Sequence, residues 1–221
     1  MNVVTAPPMP TLPAELHGEL VVIVLAAYAD ADEAAGARAL APFRALGPPL
    51  VDTVGPLRYP ELFPPDPPGF EEYHPTATGR NFFLDGFDAD AAATVLDTLA
   101  ASDAGMRAAQ LRVLGGAVSR VPADATAYAH RDRAIMVNLG VFYTDADDRA
   151  VRSAWLDGFQ AALRAADDRA VYVNFLGGDE PPERARDAYP GPTWDRLRQV
   201  KRRWDPQNLF RRNWNVPPAT A

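Results

Sequence analysis

The residues of this chain that could do chemistry are few, and most fall on alternate positions of short apolar runs. Gln110 and Arg112 alternate with Leu111 and Val113, Asn138 lies between Val137 and Leu139, and Tyr172 and Asn174 flank Val173. Side chains alternate across a strand, so each polar group is turned away from an aliphatic side. If the aliphatic sides share one covered face, the opposite face gathers Gln110, Arg112, Asn138, Tyr172 and Asn174. Amides, a phenol and a guanidinium amid apolar residues suit a small organic molecule with several hydrogen-bonding groups. A solvated outer face, ordinary for antiparallel sheets, is the other reading of the same pattern.

Several chemistries are excluded. His17, His74 and His130 are the only histidines, none at a ligand spacing from another, so no metal site is expected. With no cysteine there is no disulfide and no thiolate site. Gly115-Gly116 and Gly177-Gly178 read as turn glycines, since neither fits a phosphate-cradling motif, and no nucleophile elbow is present. A net charge of −7 argues against nucleic-acid binding, which needs a basic footprint. The basic residues from Arg196 to Arg203 with Arg211-Arg212 read as a solvated helix face. The apolar run Leu20 to Tyr28 is too short for a membrane span and follows no basic signal region. A cytoplasmic protein is expected.

The elements that must position these groups follow from periodicity. At 221 residues, 48% hydrophobic and 23% charged, the chain can bury a sizeable core. Residues 1–13 read as an extended arm. Leu20 to Tyr28 predicts a strand at a sheet centre, Asp30 and Asp32 cap a helix through about Leu46 with Leu40 and Phe43 inward, and Leu50 to Val54 predicts a further strand. The proline-rich stretch Gly55 to Thr78 reads as a functional loop or a poorly ordered one. Asp88 starts a helix whose Ala92, Val95, Leu96 and Leu99 share a face. Strands are predicted over Ala109 to Leu114, Ala134 to Tyr143 and Ala170 to Phe175, with a helix over about Asp147 to Ala165 between the last two. A final helix carries Trp194, Leu197, Val200 and Trp204 on one side, stopped by Asp205-Pro206, and an extended tail follows. The fold expected is α+β: a mostly antiparallel sheet with helices on one face, divided into the arm, a substrate-binding domain over 14–169 and a C-terminal segment over 170–221 on the same sheet.

That last segment, with Tyr172-Val173-Asn174, Tyr189 to Gly191, Leu197 to Arg211 and Asn213 to Pro217 in order, resembles the C-terminal region of berberine-bridge-enzyme-like FAD-linked oxidases. Upstream, Pro13 to Gly18, Leu114 to Ala117 with Arg120-Val121-Pro122, and Ala125 to Arg131 are similar to further blocks of that family. The resemblance implies a substrate-binding half of an FAD-linked oxidoreductase acting on a small organic substrate. The family's N-terminal FAD-binding domain is not among these residues, so FAD is not expected to be held tightly by this chain alone. A separate FAD-binding chain or a homo-oligomer is the implied partner. In such oxidases the open sheet face roofs the flavin. This implies Tyr172, Asn174 and Asn213 near the cofactor, Gln110, Arg112 and Asn138 toward substrate, and Tyr172 as the candidate base. Phe175 stands where many plant members carry their base, and Asp85-Gly86 stands where relatives often carry Lys-Ser. These departures support an alternative, a flavin-free protein that binds or cyclises a small natural product.

Overall fold

The computed structural model describes residues 1–8, 12–63, 65, 75–164 and 168–220. Strands β1 (Asn2–Thr5), β2 (Leu20–Ile23), β3 (Thr76–Leu84), β4 (Arg107–Val113) and β5 (Ile135–Tyr143) form one sheet, every neighbouring pair antiparallel, in the order β2-β1-β4-β5-β3. The helices are α1 (Glu33–Arg44), α2 (Ala89–Ala101), α3 (Ala146–Leu163), α4 (Arg184–Asp187) and α5 (Pro192–Trp204). The α+β class read from the alternation is what the chain adopts.

One face of the sheet is closed by α2 and α3. Val3, Phe82, Leu84, Ala109, Leu111, Val137, Leu139 and Val141 meet Val95, Leu99, Leu156 and Phe159 in one buried cluster. Each fully buried side chain of this size contributes about 1.5–3 kcal/mol. The helices start where aspartates cap them: Asp32 accepts from Ala35 N, Asp88 from Ala91 N and Asp145 from Asp147 N and Asp148 N. Helix α5 ends at Trp204, and the Asp205 carboxylate takes the next two free N–H groups, those of Leu209 and Phe210, at 2.8 and 3.1 Å. Asn208, just before them, adopts a left-handed φ of 53°.

Several elements depart from expectation. The start of the arm is a strand: Asn2–Thr5 pairs with both β2 and β4, because Val3 and Thr5 alternate inward and are buried. Strand β2 is an edge and not the centre, so Val22 is exposed. Helix α1 carries no buried residue, Phe43 included, and Leu50 to Val54 forms no strand; Arg44 instead ties Asp52 and the Val54 carbonyl. Leu96 is exposed, leaving Val95 and Leu99 as the buried face of α2. Val200 and Trp204 share a face as spaced, but that face is exposed. Strand β3, the longest partner of β5, falls where no strand is expected. Pro64, Pro67, Pro68, His74, Ala165 and arm residues 9–11 lie outside the described residues.

The predicted strand Ala170 to Phe175 is also absent. Tyr172 gives its N–H to the Asn81 side-chain oxygen, and Phe175 N turns back to Tyr172 O, so Val173–Phe175 is a 3-10 turn. Tyr172 and Phe175 thus give their N–H groups to a side chain and to a turn, and not to a ladder.

Candidate functional site

Register aligns four amides across the uncovered face. Asn2 on β1 pairs with Gln110 on β4, Gln110 with Asn138 on β5, and Asn138 with Asn81 on β3. Neighbouring strands lie about 4.8 Å apart, so the row spans roughly 14 Å. Beside it runs a second row, Arg112, Met136 and Phe83, in the same register. Gln110 and Asn138 are half-buried and Arg112 is exposed, whereas Asn81, Phe83 and Met136 are buried. Thus the β4 end of this face is open and the β3 end is covered.

The cover is the C-terminal segment. Tyr172 N–H donates to Asn81 Oδ1 at 2.6 Å, and the Phe175 ring receives the Arg112 guanidinium 4.7 Å above its centroid. Tyr172 meets Phe175 and Tyr128 edge-on at 5.5 and 5.8 Å, and Asn174 Nδ2 donates to the Tyr172 hydroxyl at 2.9 Å. His130 packs on Phe83 at 4.7 Å. Burial, with the nearby Arg133 charge, pushes the His130 pKa down; the Ala188 and Val171 carbonyls oppose this. Burial likewise pushes the Tyr128 phenol up, against the Arg131 guanidinium, which keeps it neutral.

A second tie holds the segment from the helix side. Arg80 on β3 bonds Asp157 at 2.7 Å and Asp179 at 3.1 Å, and Ser153 Oγ donates to Asp179 at 2.9 Å. Gly177 passes so close that a Cβ there would meet the Gly79 carbonyl oxygen at 2.9 Å. These glycines make a close approach, which is why side chains are missing there.

Of the residues singled out from sequence, Gln110, Arg112 and Asn138 share the open face, and Tyr172 and Asn174 stand at its covered end. Tyr172 and Asn174 are joined by their own hydrogen bond, not by strand alternation. Asn213 does not join them: it lies exposed in the tail at φ 56°, where its carbonyl accepts from Asn215 N. Asn2, Asn81 and Phe83 were not foreseen, since their place depends on β1 and β3. Asn2 Oδ1 and Asn81 Nδ2, at opposite ends of the row, are buried polar atoms without a partner among the described residues. Among the described residues no group of three or more His, Asp or Glu is placed to hold a metal ion, and no helix is long and apolar enough to cross a membrane.

Residues 171–217 match the family described as "Berberine and berberine like". The FAD-linked oxidoreductase sorD of Penicillium rubens is 33% identical over 137 residues, 59% of this chain and 29% of that protein. The aclacinomycin-N/aclacinomycin-A oxidase of Streptomyces galilaeus is 30% identical over 143 residues, 58% of this chain and 26% of that protein. The chain therefore spans under a third of the length of these relatives. Its fold is shared with a chitooligosaccharide oxidase (TM-score 0.57, 20% identity, 66% of this chain and 34% of that one) and a variant of berberine bridge enzyme (TM-score 0.55, 20% identity, 67% and 34%). With the matched segment lying against β3, the chain resembles the berberine-bridge-enzyme-like proteins, and the relatives it matches are FAD-linked oxidoreductases.

Proposed function

We propose that these residues are the substrate-binding and C-terminal half of an FAD-linked oxidoreductase, and that the amide row with Arg112 is the surface on which a small organic substrate lies. The observation that carries this reading is the register of Asn2, Gln110 and Asn138, which sets amides in one line beside Arg112 on the open part of the face. Their antiparallel frame is rigid, so the groups are oriented before a ligand arrives.

The fit to FAD is partial. What this chain offers the ring end of the cofactor is the Tyr172 hydroxyl and the Asn174 amide, joined at the edge of the face. The pyrophosphate end does not fit, since helix N-termini are where phosphate is gripped. In α1, α2 and α3 that place is taken by the carboxylates of Asp32, Asp88 and Asp145, while α5 has no side-chain cap but begins at Pro192, which lacks an N–H, and carries Asp195 in its first turn. The phosphate grip accordingly belongs to polypeptide outside these residues, on a further stretch or a partner chain. FAD, when bound, supplies a hydride acceptor. This chain's own residues orient the substrate on the amide row, and the Tyr172 hydroxyl, held by Asn174, is the candidate to take or hold a proton.

The reading is tested in the flavin-containing assembly isolated from the native host. Asn138→Leu and Gln110→Leu are each expected to lower kcat/KM about ten- to a hundredfold by removing oriented hydrogen bonds, with flavin content unchanged. Unaltered turnover in both variants would remove the amide row from the site.

A further inference from the structure

Three arginines stand on the described strands, Arg80, Arg107 and Arg112, and they are used differently. Arg80 and Arg107 point to the helix side and spend their donors internally. Arg80 bonds Asp157, Asp179 and the Gly79 carbonyl; Arg107 bonds the carbonyls of Leu99 and Ala104 and the Thr5 hydroxyl. Arg112 lies on the amide face, is exposed, and donates no hydrogen bond among the described residues. In a chain of net charge −7, Arg44, Arg80, Arg133, Arg152 and Arg184 each have a carboxylate partner, and Arg112 has none among the described residues.

What holds Arg112 is the Phe175 ring, 4.7 Å from its guanidinium carbon. A guanidinium stacked on a ring uses its face, and its in-plane N–H groups stay free as a fork matched to a carboxylate. The ring also fixes the side chain in advance, which lowers the cost of binding. Gln110 stands two residues away on the same strand face, about 6.6 Å along it, and Asn138 about 4.8 Å across from Gln110. A molecule whose carboxylate meets Arg112 thus sets its ring, hydroxyl or carbonyl groups over the two amides.

We infer that Arg112 is a carboxylate-recognition residue and that the amide face takes small organic acids. This rests on the reading of that face as substrate-binding, and it names the class of substrate. Lysine would not serve equally, because the stack and the two-pronged bond both need a planar cation.

The test titrates the purified chain with para-hydroxybenzoate and with the uncharged isostere para-hydroxybenzamide, following the Arg112 side-chain N–H resonance in isotope-labelled protein. The acid is expected to bind about tenfold tighter than the amide and to shift that resonance. In Arg112→Gln the preference should vanish while the circular dichroism stays unchanged. Equal affinity for the two, no binding of either, an unshifted Arg112 resonance, or a preference that survives Arg112→Gln would overturn the inference. Should Arg112→Gln fail to fold, the wild-type resonance and affinity ratio decide. No flavin or turnover enters this titration. A flavin-free native assembly would therefore sink the oxidoreductase reading alone, and loss of the acid preference would sink the substrate class alone.

Discussion

Tyr172 N–H donates to the Asn81 carboxamide oxygen at 2.6 Å, and this bond fastens the berberine-like segment to the buried end of the amide row. It also explains why a run that alternates like a strand does not become one. The donor that would start a ladder is already taken by a side chain of β3.

Asn81→Leu is expected to loosen the segment. Asn81 is buried, so the change leaves the Tyr172 N–H unpaired and costs about 1–3 kcal/mol. Urea unfolding measures the loss, and proteolysis should then cut near Gly177-Gly178 sooner than in wild type. A variant as stable and as resistant as the parent would show that the bond contributes nothing.

Gly79→Ala is expected to disrupt the β3–β5 pairing. A Cβ at Gly79 would lie 2.6 Å from the Leu139 carbonyl oxygen, inside any tolerated contact, so the strands must shift. Overpacking of this kind costs about 1–3 kcal/mol. Gly140→Ala, directly opposite in register, meets nothing within 4 Å and should be milder. Equal midpoints in denaturant for the two variants would contradict the geometry.

Stability is expected to fall on acidification in two stages. Burial and Arg133 lower the His130 pKa in the folded protein, so the unfolded chain binds its proton more readily, and stability declines once pH drops below about 6.5. Burial raises the Asp179 carboxyl, but Arg80 and Ser153 outweigh it and leave the pKa lowered. The stability this gives is present above the unfolded value of about 3.9 and is lost as pH falls through the folded one. His130→Phe should flatten the upper stage and Asp179→Asn the lower, in unfolding free energies measured from neutral pH to pH about 3. A slope unchanged by both substitutions would exclude these groups as its source.

Self-association, or capture of a partner chain, is expected of the isolated protein. The folded chain leaves 14602 Å² accessible, against about 9,900 Å² for a compact monomer of 24.0 kDa. Leu25, Leu46, Phe63, Trp204 and Phe210 are among the exposed apolar residues. Where exposed apolar residues adjoin over more than a few hundred Å², they mark an interaction site. Light scattering that finds a strict monomer at about 100 μM would count against it, that concentration being far above a micromolar dissociation constant.

What the sequence shows of this fold depends on how each element is covered. Strands β4 and β5 are legible because one face is aliphatic and the other polar, so Leu111 and Val137 alternate with Gln110 and Asn138. Strand β3 is buried on both faces at Phe82 and Phe83, and its Arg80-Asn81-Phe82-Phe83-Leu84 run shows no period of two. Missing β3 hid Asn81, and with it the fourth amide of the row. The caps at Asp32 and Asp88 were readable because they are local. The apolar side of α5 was readable too, but only its first half finds cover: Trp194 and Leu197 are half-buried, whereas Val200 and Trp204 stay exposed. Asn213 was named by family resemblance alone, toward a flavin domain outside these residues, and here it lies exposed in a left-handed turn of the tail.

The most direct test of the central claim is the flavin content of the chain in two states: purified alone, and isolated with everything bound to it from its native host. The account predicts a flavin-to-protein ratio near zero for the chain alone, because Asp32, Asp88 and Asp145 occupy the N-termini of α1, α2 and α3, and that of α5 starts on a proline with Asp195 in its first turn. It predicts flavin absorbance in the native assembly, travelling with polypeptide beyond these residues. Stoichiometric FAD on the isolated chain, or a native assembly without flavin, would contradict it.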